Sequence, residues 1–129
     1  MTGAGLLLVC LGGALGSGLR YAIGVAALRW LGADFPFGTL TVNLVGSFLI
    51  GFVQEAATRH VVAEPARLFL SVGVMGGLTT YSAFSYETVR LMQTGAWTRA
   101  WVNLAVTTAL CLALCILGMA AARATFDVR

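Results

Sequence analysis

Apolar positions dominate the chain in four long stretches that are separated by three short polar segments. The stretches are residues 3–28, 37–57, 67–93 and 97–123. A helix needs about 20 mostly apolar residues to cross the hydrocarbon core of a bilayer, and each stretch reaches that length. Both prolines, Pro36 and Pro65, fall in the intervening segments. The pattern predicts an all-α membrane protein with four transmembrane helices in a single domain over residues 1–129.

The composition agrees with an integral membrane protein in a lipid bilayer. Apolar residues make up 59% of the chain and charged residues only 10%, and the mean hydropathy is +0.90. A soluble domain of this size needs far more charge to cover its surface. The net charge of +3 is too small and too scattered for a nucleic-acid partner. The apolar pattern continues past the small residues near the N-terminus, which predicts a first transmembrane helix and not a signal peptide.

No motif of a soluble enzyme is present, so we predict no catalytic residues. The only histidine, His60, lies in a polar segment beside an arginine, as a solvated loop side chain does. The three cysteines all lie in apolar runs, and their odd number argues against a disulfide framework. We interpret Cys10, Cys111 and Cys115 as small core residues.

The arginines divide almost evenly between the two ends of the predicted four-helix bundle. One end, with both termini and the second loop, has Arg59, Arg67, Arg123 and Arg129. The other end has Arg20, Arg29, Arg90 and Arg99. Because a bias in Lys and Arg orients a membrane protein, this balance predicts insertion in both orientations and an antiparallel, dual-topology homodimer. The alternative is that one misassigned arginine hides a real bias.

The segment GGLTTYSAFSYE, residues 76–87, interrupts the third apolar stretch. A glycine pair followed by two threonines predicts a helix broken near its middle. Unpaired backbone groups are costly in lipid, so the break must be buried in protein or must face water or an ion. We expect a first half that ends near Met75 and directs carbonyls at the break. The second half would begin near Thr79 or Thr80, with one of these threonines as its cap.

Aromatic and hydroxyl side chains follow the predicted break. Tyr81 and Phe84 are three residues apart and share a helix face, while Ser82 and Ser85 form the adjacent stripe. The positive edge of an aromatic ring and the proton of a hydroxyl both suit an anion. The alternative is ordinary helix packing with the hydroxyls bonded to carbonyls four residues earlier. Their concentration beside a break favours an ion pathway.

A few further polar residues lie in apolar stretches. The amide of Asn43 needs a partner, either a neighbouring helix or a permeating ion. Asn103, Thr107 and Cys111 are spaced four apart and form a mildly polar stripe on the fourth helix. Arg20 lies near one membrane face, where it either extends toward the headgroups or attracts anions to a vestibule.

Three segments, GGALGSGLRY, FPFGTLTVNLVGSFLIGF and GGLTTYSAFSYE, resemble the CrcB/Fluc family of fluoride channels. The resemblance spans all four helices. It implies an antiparallel homodimer, multi-pass in the plasma (inner) membrane. Such a dimer has two antiparallel pores that passively export cytoplasmic fluoride.

The family resemblance also implies roles for individual residues. A structural sodium ion on the dimer axis would be bound by the backbone carbonyls of Gly76 and Thr79. Arg20 would lie in the vestibule. The pore or fluoride-binding positions would be Asn43, Tyr81, Ser82, Phe84, Asn103 and Thr107, with Cys111 in the same fourth-helix track. The chain departs from the family pattern with Tyr81 in place of phenylalanine, and with Asn103 and Cys111 in place of hydroxyl residues.

Two other classes of protein fit part of the pattern. A small dual-topology exporter of the multidrug-resistance type has a similar length and charge balance. Exporters of this proton-coupled type, however, share an acidic residue in the first helix. Here that stretch has no acid, and the only acids in or at the ends of the stretches are Glu55 and Glu87. A structural or assembly subunit would not need a broken helix with a hydroxyl face.

Overall fold

The structure is a computed structural model that describes residues 3–127 and is all-α in that range. Arg129, which entered the arginine comparison, lies outside the described residues. The helices are α1 (Gly3–Leu31), α2 (Phe37–Thr58), α3 (Glu64–Arg67), a π-helix (Leu68–Met75), α4 (Gly76–Leu78), α5 (Tyr81–Gln93) and α6 (Trp97–Phe126).

Four helical spans are long and apolar enough to cross a membrane, which confirms the prediction from the hydropathy pattern. They are Gly3–Leu31, Phe37–Thr58, Glu64–Gln93 and Trp97–Phe126. The third span comprises α3, the π-helix, α4 and α5. The first and fourth spans continue a few residues beyond the predicted ends at residues 28 and 123.

The third span is broken, as predicted, but the break lies after the glycine pair and not at it. Residues 76–77 remain helical, and the first half ends at Leu78, so the expected end near Met75 is wrong. The backbone is then extended at Thr79 (φ −80°, ψ 155°) and at Thr80 (φ −153°, ψ 112°). The broken segment is therefore two residues long.

A threonine caps the second half of the span, as the sequence predicts. Thr80 is the N-cap of α5, and its Oγ1 accepts a hydrogen bond from the Ala83 N–H over 3.2 Å. This bond satisfies one of the N–H groups that a helix leaves unpaired in its first turn.

The two glycines at the end of the first half have different surroundings. A Cβ atom at Gly77 would lie 2.5 Å from the carbonyl oxygen of Gly13 on α1, so only glycine allows this helix contact. A Cβ atom at Gly76 would have no atom of the described chain within 4 Å. Gly77 therefore packs the span against α1, whereas Gly76 faces open space.

The π-helix between α3 and α4 was not predicted. Residues Leu68–Met75 adopt the wider helix, in which hydrogen bonds join residues five apart. Ser71 on this segment is only 5% exposed, and its hydroxyl has no hydrogen-bond partner among the described residues. π-helical turns are rare in proteins as a whole, and those that do occur are often found at functional sites.

Polar contacts hold the ends of the spans in register. The buried Glu55 at the end of α2 accepts hydrogen bonds from Arg123 Nε over 2.9 Å and from Arg59 Nε over 3.2 Å. At the opposite end, Arg99 Nη1 donates to the Asp34 carbonyl over 3.2 Å. The second loop thus lies beside the C-terminal end of α6, and the first loop beside the start of α6. This arrangement is the one that the arginine comparison assumed.

Candidate functional site

The break in the third span opens into a groove between α2, the third span and α6. We call it the central groove; its volume is about 470 Å³. The residues that the sequence analysis singled out and that line it are Asn43, Met75, Gly76, Thr79, Thr80, Tyr81, Phe84, Thr107 and Cys111. Three of the four spans contribute to this surface, so it forms only when the chain is folded.

Asn43 on α2 holds the break through both ends of its side-chain amide. Its Oδ1 accepts from the Thr80 N–H over 2.8 Å, and its Nδ2 donates to the Thr80 carbonyl over 3.1 Å. In an unbroken helix the Thr80 N–H would donate to the carbonyl of Gly76. Asn43 therefore replaces a helical bond and satisfies both backbone groups of Thr80, which is only 7% exposed.

The Asn43 contact agrees with the first of the two interpretations of this residue, a contact with a neighbouring helix. The amide does join neighbouring helices, as the packing interpretation requires. An amide nitrogen has two N–H donors, and one of them is used on Thr80. Asn43 also lines the central groove, so its role toward an ion stays a prediction.

Hydrogen bonds to the preceding turn and a contact with α2 hold Thr79 in place. Its Oγ1 donates to the Met75 carbonyl over 2.9 Å, and its N–H donates to the same oxygen over 2.9 Å. Its Cγ2 methyl packs against Gly46 on α2, at the position that a Cβ atom would occupy. Thr79 is thus fixed by its side chain, and its carbonyl lies in extended backbone beside the central groove.

Tyr81 and Phe84 form the aromatic pair that their spacing predicts. Their ring centroids are 5.5 Å apart at an interplanar angle of 50°, within the range of favourable aromatic contacts. Phe84 is 4% exposed, whereas Tyr81 is 79% exposed. Phe84 is therefore fixed within the chain, and Tyr81 projects from it.

A buried hydrogen-bond chain joins α5 to α6 behind this aromatic pair. Thr88 Oγ1 donates to the Phe84 carbonyl over 2.7 Å, and Asn103 Nδ2 donates to Thr88 Oγ1 over 2.8 Å. Thr107 Oγ1 donates to Asn103 Oδ1 over 3.3 Å. Asn103 is 1% exposed and is not among the residues that line the central groove. The sequence analysis missed Thr88, although its position four residues after Phe84 is a signal for such a contact.

The remaining predicted residues do not line the central groove. Ser82 is exposed, and its Oγ is 3.1 Å from Thr80 Oγ1. Ser85 Oγ donates to the Tyr81 carbonyl over 2.9 Å, which is the packing role that was the alternative for these hydroxyls. Arg20 is half-buried on α1 and does not reach the central groove lining.

A second groove, of about 450 Å³, lies at the end of the bundle that contains the first loop. Thr39 and Glu87 line it, and Thr39 Oγ1 donates to Glu87 Oε1 over 2.8 Å. The other oxygen, Oε2, is buried without a hydrogen-bond partner among the described residues. The sequence marked Glu87 as the end of the polar segment but gave no indication of its contact with Thr39.

Four apolar spans, one of them broken beside a groove, define a small membrane protein with a discontinuous helix. The family model described as "CrcB-like protein, Camphor Resistance (CrcB)" matches residues 7–119. The chain therefore belongs to the CrcB/Fluc family, as the three sequence segments predict.

Curated relatives cover most of the chain, and they share one name, "Fluoride-specific ion channel FluC". The protein from Anaeromyxobacter sp. (strain K) is 57% identical over 93 residues, which are 71% of this chain and 74% of that protein. The protein from Sorangium cellulosum (strain So ce56) is 47% identical over 114 residues, 88% of this chain and 90% of that protein. The protein from Clostridium perfringens (strain 13 / Type A) is 40% identical over 121 residues, 93% of this chain and 94% of that protein.

Proposed function

We propose that this chain is the subunit of a fluoride-selective channel. The observation that carries the proposal is the break at Thr79 and Thr80, which Asn43 holds open beside a groove lined with hydroxyls and an aromatic pair. A small, strongly hydrated anion enters an apolar membrane protein only if polar groups replace its water. The central groove offers such groups beside the break in the third span. The similar proteins are named as fluoride channels.

We extend the proposal to an antiparallel homodimer in the plasma (inner) membrane, with two pores that export fluoride passively. Support comes from the even division of arginines between the two ends of the bundle. Further support comes from Gly76, whose open side leaves room for a second chain. Passive movement fits α1, which carries no acidic residue to couple transport to protons.

The residues at the break also fit a structural sodium ion, and we propose that Gly76 and Thr79 hold it. Asn43 takes the Thr80 N–H that would otherwise pair with the Gly76 carbonyl, and the Thr79 carbonyl lies in extended backbone. Unwound backbone carbonyls are typical sodium ligands in broken membrane helices. Within residues 3–127 no group of three His, Cys, Asp or Glu side chains offers another metal site. A bound cation would lower the electrostatic barrier for an anion nearby.

The proposed function is tested first in cells. Expression of the chain in a bacterial strain without its own fluoride exporter is expected to restore growth in medium that contains fluoride. The rival class, a proton-coupled multidrug exporter, predicts protection against cationic dyes instead. Growth protection by the chain against dyes, with none against fluoride, would favour the exporter and reject the channel.

Dual topology makes a separate prediction about insertion. A reporter fused to the C-terminus is expected to appear on both sides of the membrane, because neither end has a clear excess of arginine. Two or three lysines added at the C-terminus should shift the reporter toward the cytoplasm. A reporter found on one side only, with the unmodified chain, would contradict the antiparallel dimer.

A further inference from the structure

The direction of each bond in the hydrogen-bond chain that joins α5 to α6 follows from one acceptor, the Phe84 carbonyl. A carbonyl only accepts, so the Thr88 hydroxyl must donate to it. Having donated its single proton, Thr88 Oγ1 accepts from Asn103, which must therefore present its Nδ2. The amide oxygen of Asn103 then faces the other way.

This polarity fixes the proton of Thr107. The amide oxygen of Asn103 can only accept, so the Thr107 hydroxyl donates its proton to Asn103 Oδ1. Thr107 also lines the central groove. Its hydroxyl consequently presents lone pairs, and not its proton, to an anion in the groove.

The bond that holds this proton is long. Thr107 Oγ1 and Asn103 Oδ1 are 3.3 Å apart, whereas hydrogen bonds between a hydroxyl and an oxygen are commonly about 2.7–2.8 Å. The other two bonds of the chain, at 2.7 Å and 2.8 Å, are short. Thr107 is therefore the member of the chain that changes partner at the lowest cost.

We propose that Asn103 is a positioning residue that competes with the permeating anion for the Thr107 proton. An anion that reaches Thr107 must draw the hydroxyl away from Asn103 before it gains a donor. Asn103 thus acts through Thr107 and does not contact the anion, which differs from the pore role implied by the family resemblance. The inference rests on the proposed function, because fluoride is taken as the anion.

The test is the fluoride affinity of the purified protein in detergent, measured by equilibrium titration with sodium fluoride. Asn103→Leu removes the acceptor and frees the Thr107 proton. Its dissociation constant for fluoride is expected to fall about fivefold, the equivalent of a net hydrogen bond of about 1 kcal/mol. A merely structural Asn103 would give unchanged or weaker binding on removal. If the leucine variant fails to fold, Asn103→Ala takes its place. It also lacks the acceptor, and the same fall in the dissociation constant is expected.

Two background variants make the test specific for Thr107. Thr107→Val removes the donor, so Asn103→Leu should give no gain in that background. Thr108→Val is the matched control: Thr108 lines the same groove but takes no part in the bonds described above, so the fivefold gain should persist there. A gain that survives Thr107→Val, or no gain at all in a folded Asn103 variant, would overturn the inference.

The affinity measurement is separable from transport. The expected pattern of affinities, in a protein that does not carry fluoride across liposomes, would support the inference and reject the proposed function. Flux without the expected pattern would support the function and reject the role of Asn103. Unchanged affinity in a folded Asn103→Leu variant would overturn the inference, because the Thr107 hydroxyl would then be donating to its own main-chain carbonyl partner four residues earlier and not competing through Asn103.

Discussion

Replacing Asn43 with leucine is expected to lower fluoride flux in liposomes by at least about thirtyfold. Leucine has a similar size but removes both contacts with Thr80. A buried polar group that loses its partner costs about 1–3 kcal/mol, and two such groups are lost together. Each 1.4 kcal/mol corresponds to about a tenfold change, so a combined cost of only about 2 kcal/mol already gives the expected reduction. Without these two contacts, the extended backbone at Thr80 is no longer stabilised.

Two further variants separate this clamp from general damage to α2. Thr41→Val changes an exposed position two residues earlier on the same helix, and its flux should stay within about twofold of the unmodified protein. Asn43→Asp keeps the acceptor for the Thr80 N–H but places a carboxylate oxygen against the Thr80 carbonyl, so flux should fall as sharply as with leucine. Normal fluoride flux in folded Asn43→Leu would show that the amide contact is dispensable.

Removal of sodium is expected to abolish fluoride flux, although sodium itself is not transported. The proposed cation would be held by main-chain oxygens of Gly76 and Thr79, and it would therefore be a fixed part of the pore. Gly76→Val should abolish fluoride flux in the same way as the removal of sodium. In the described chain a Cβ atom there meets nothing within 4 Å, so one subunit tolerates the side chain. The added bulk would instead fill the space that the cation and the second subunit need.

Gly18→Val provides the control for this substitution. A Cβ atom at Gly18, on α1, also has no atom of the described chain within 4 Å, and Gly18 does not line the central groove. Its flux should stay near that of the unmodified protein. Full flux after exhaustive sodium depletion, measured with an impermeant organic cation in its place, would reject the structural cation and leave Gly76 as a packing position.

The position of the break shows what the sequence alone can specify. Glycine and threonine are poor helix formers, so the segment GGLTTY predicts that the helix stops. It does not say where: both glycines remain helical, and Gly77 packs closely against Gly13 on α1. The chain leaves the helix only where Asn43, 37 residues earlier, captures the backbone of Thr80. A tertiary contact thus sets a boundary that local propensity leaves open.

The π-helix and the partners of Asn103 were not accessible to sequence reasoning for related reasons. Residues Leu68–Met75 are apolar or small, and such a composition fits an α-helix as well as a π-helix. The polar stripe of Asn103 and Thr107 was visible from spacing, but its direction was not. Only the packing of α5 on α6 shows that Asn103 faces Thr88, so that this amide is used inside the protein.

In the proposed channel, the groove beside the break that Asn43 holds conducts fluoride and rejects chloride. The most direct measurement uses liposomes that contain the purified protein and are loaded with equal concentrations of the two anions, with a potassium ionophore to balance charge. Ion-selective electrodes then record the efflux of each anion. We expect rapid loss of fluoride while chloride stays inside. Equal efflux of both anions, or no fluoride efflux above that of protein-free liposomes, would contradict it.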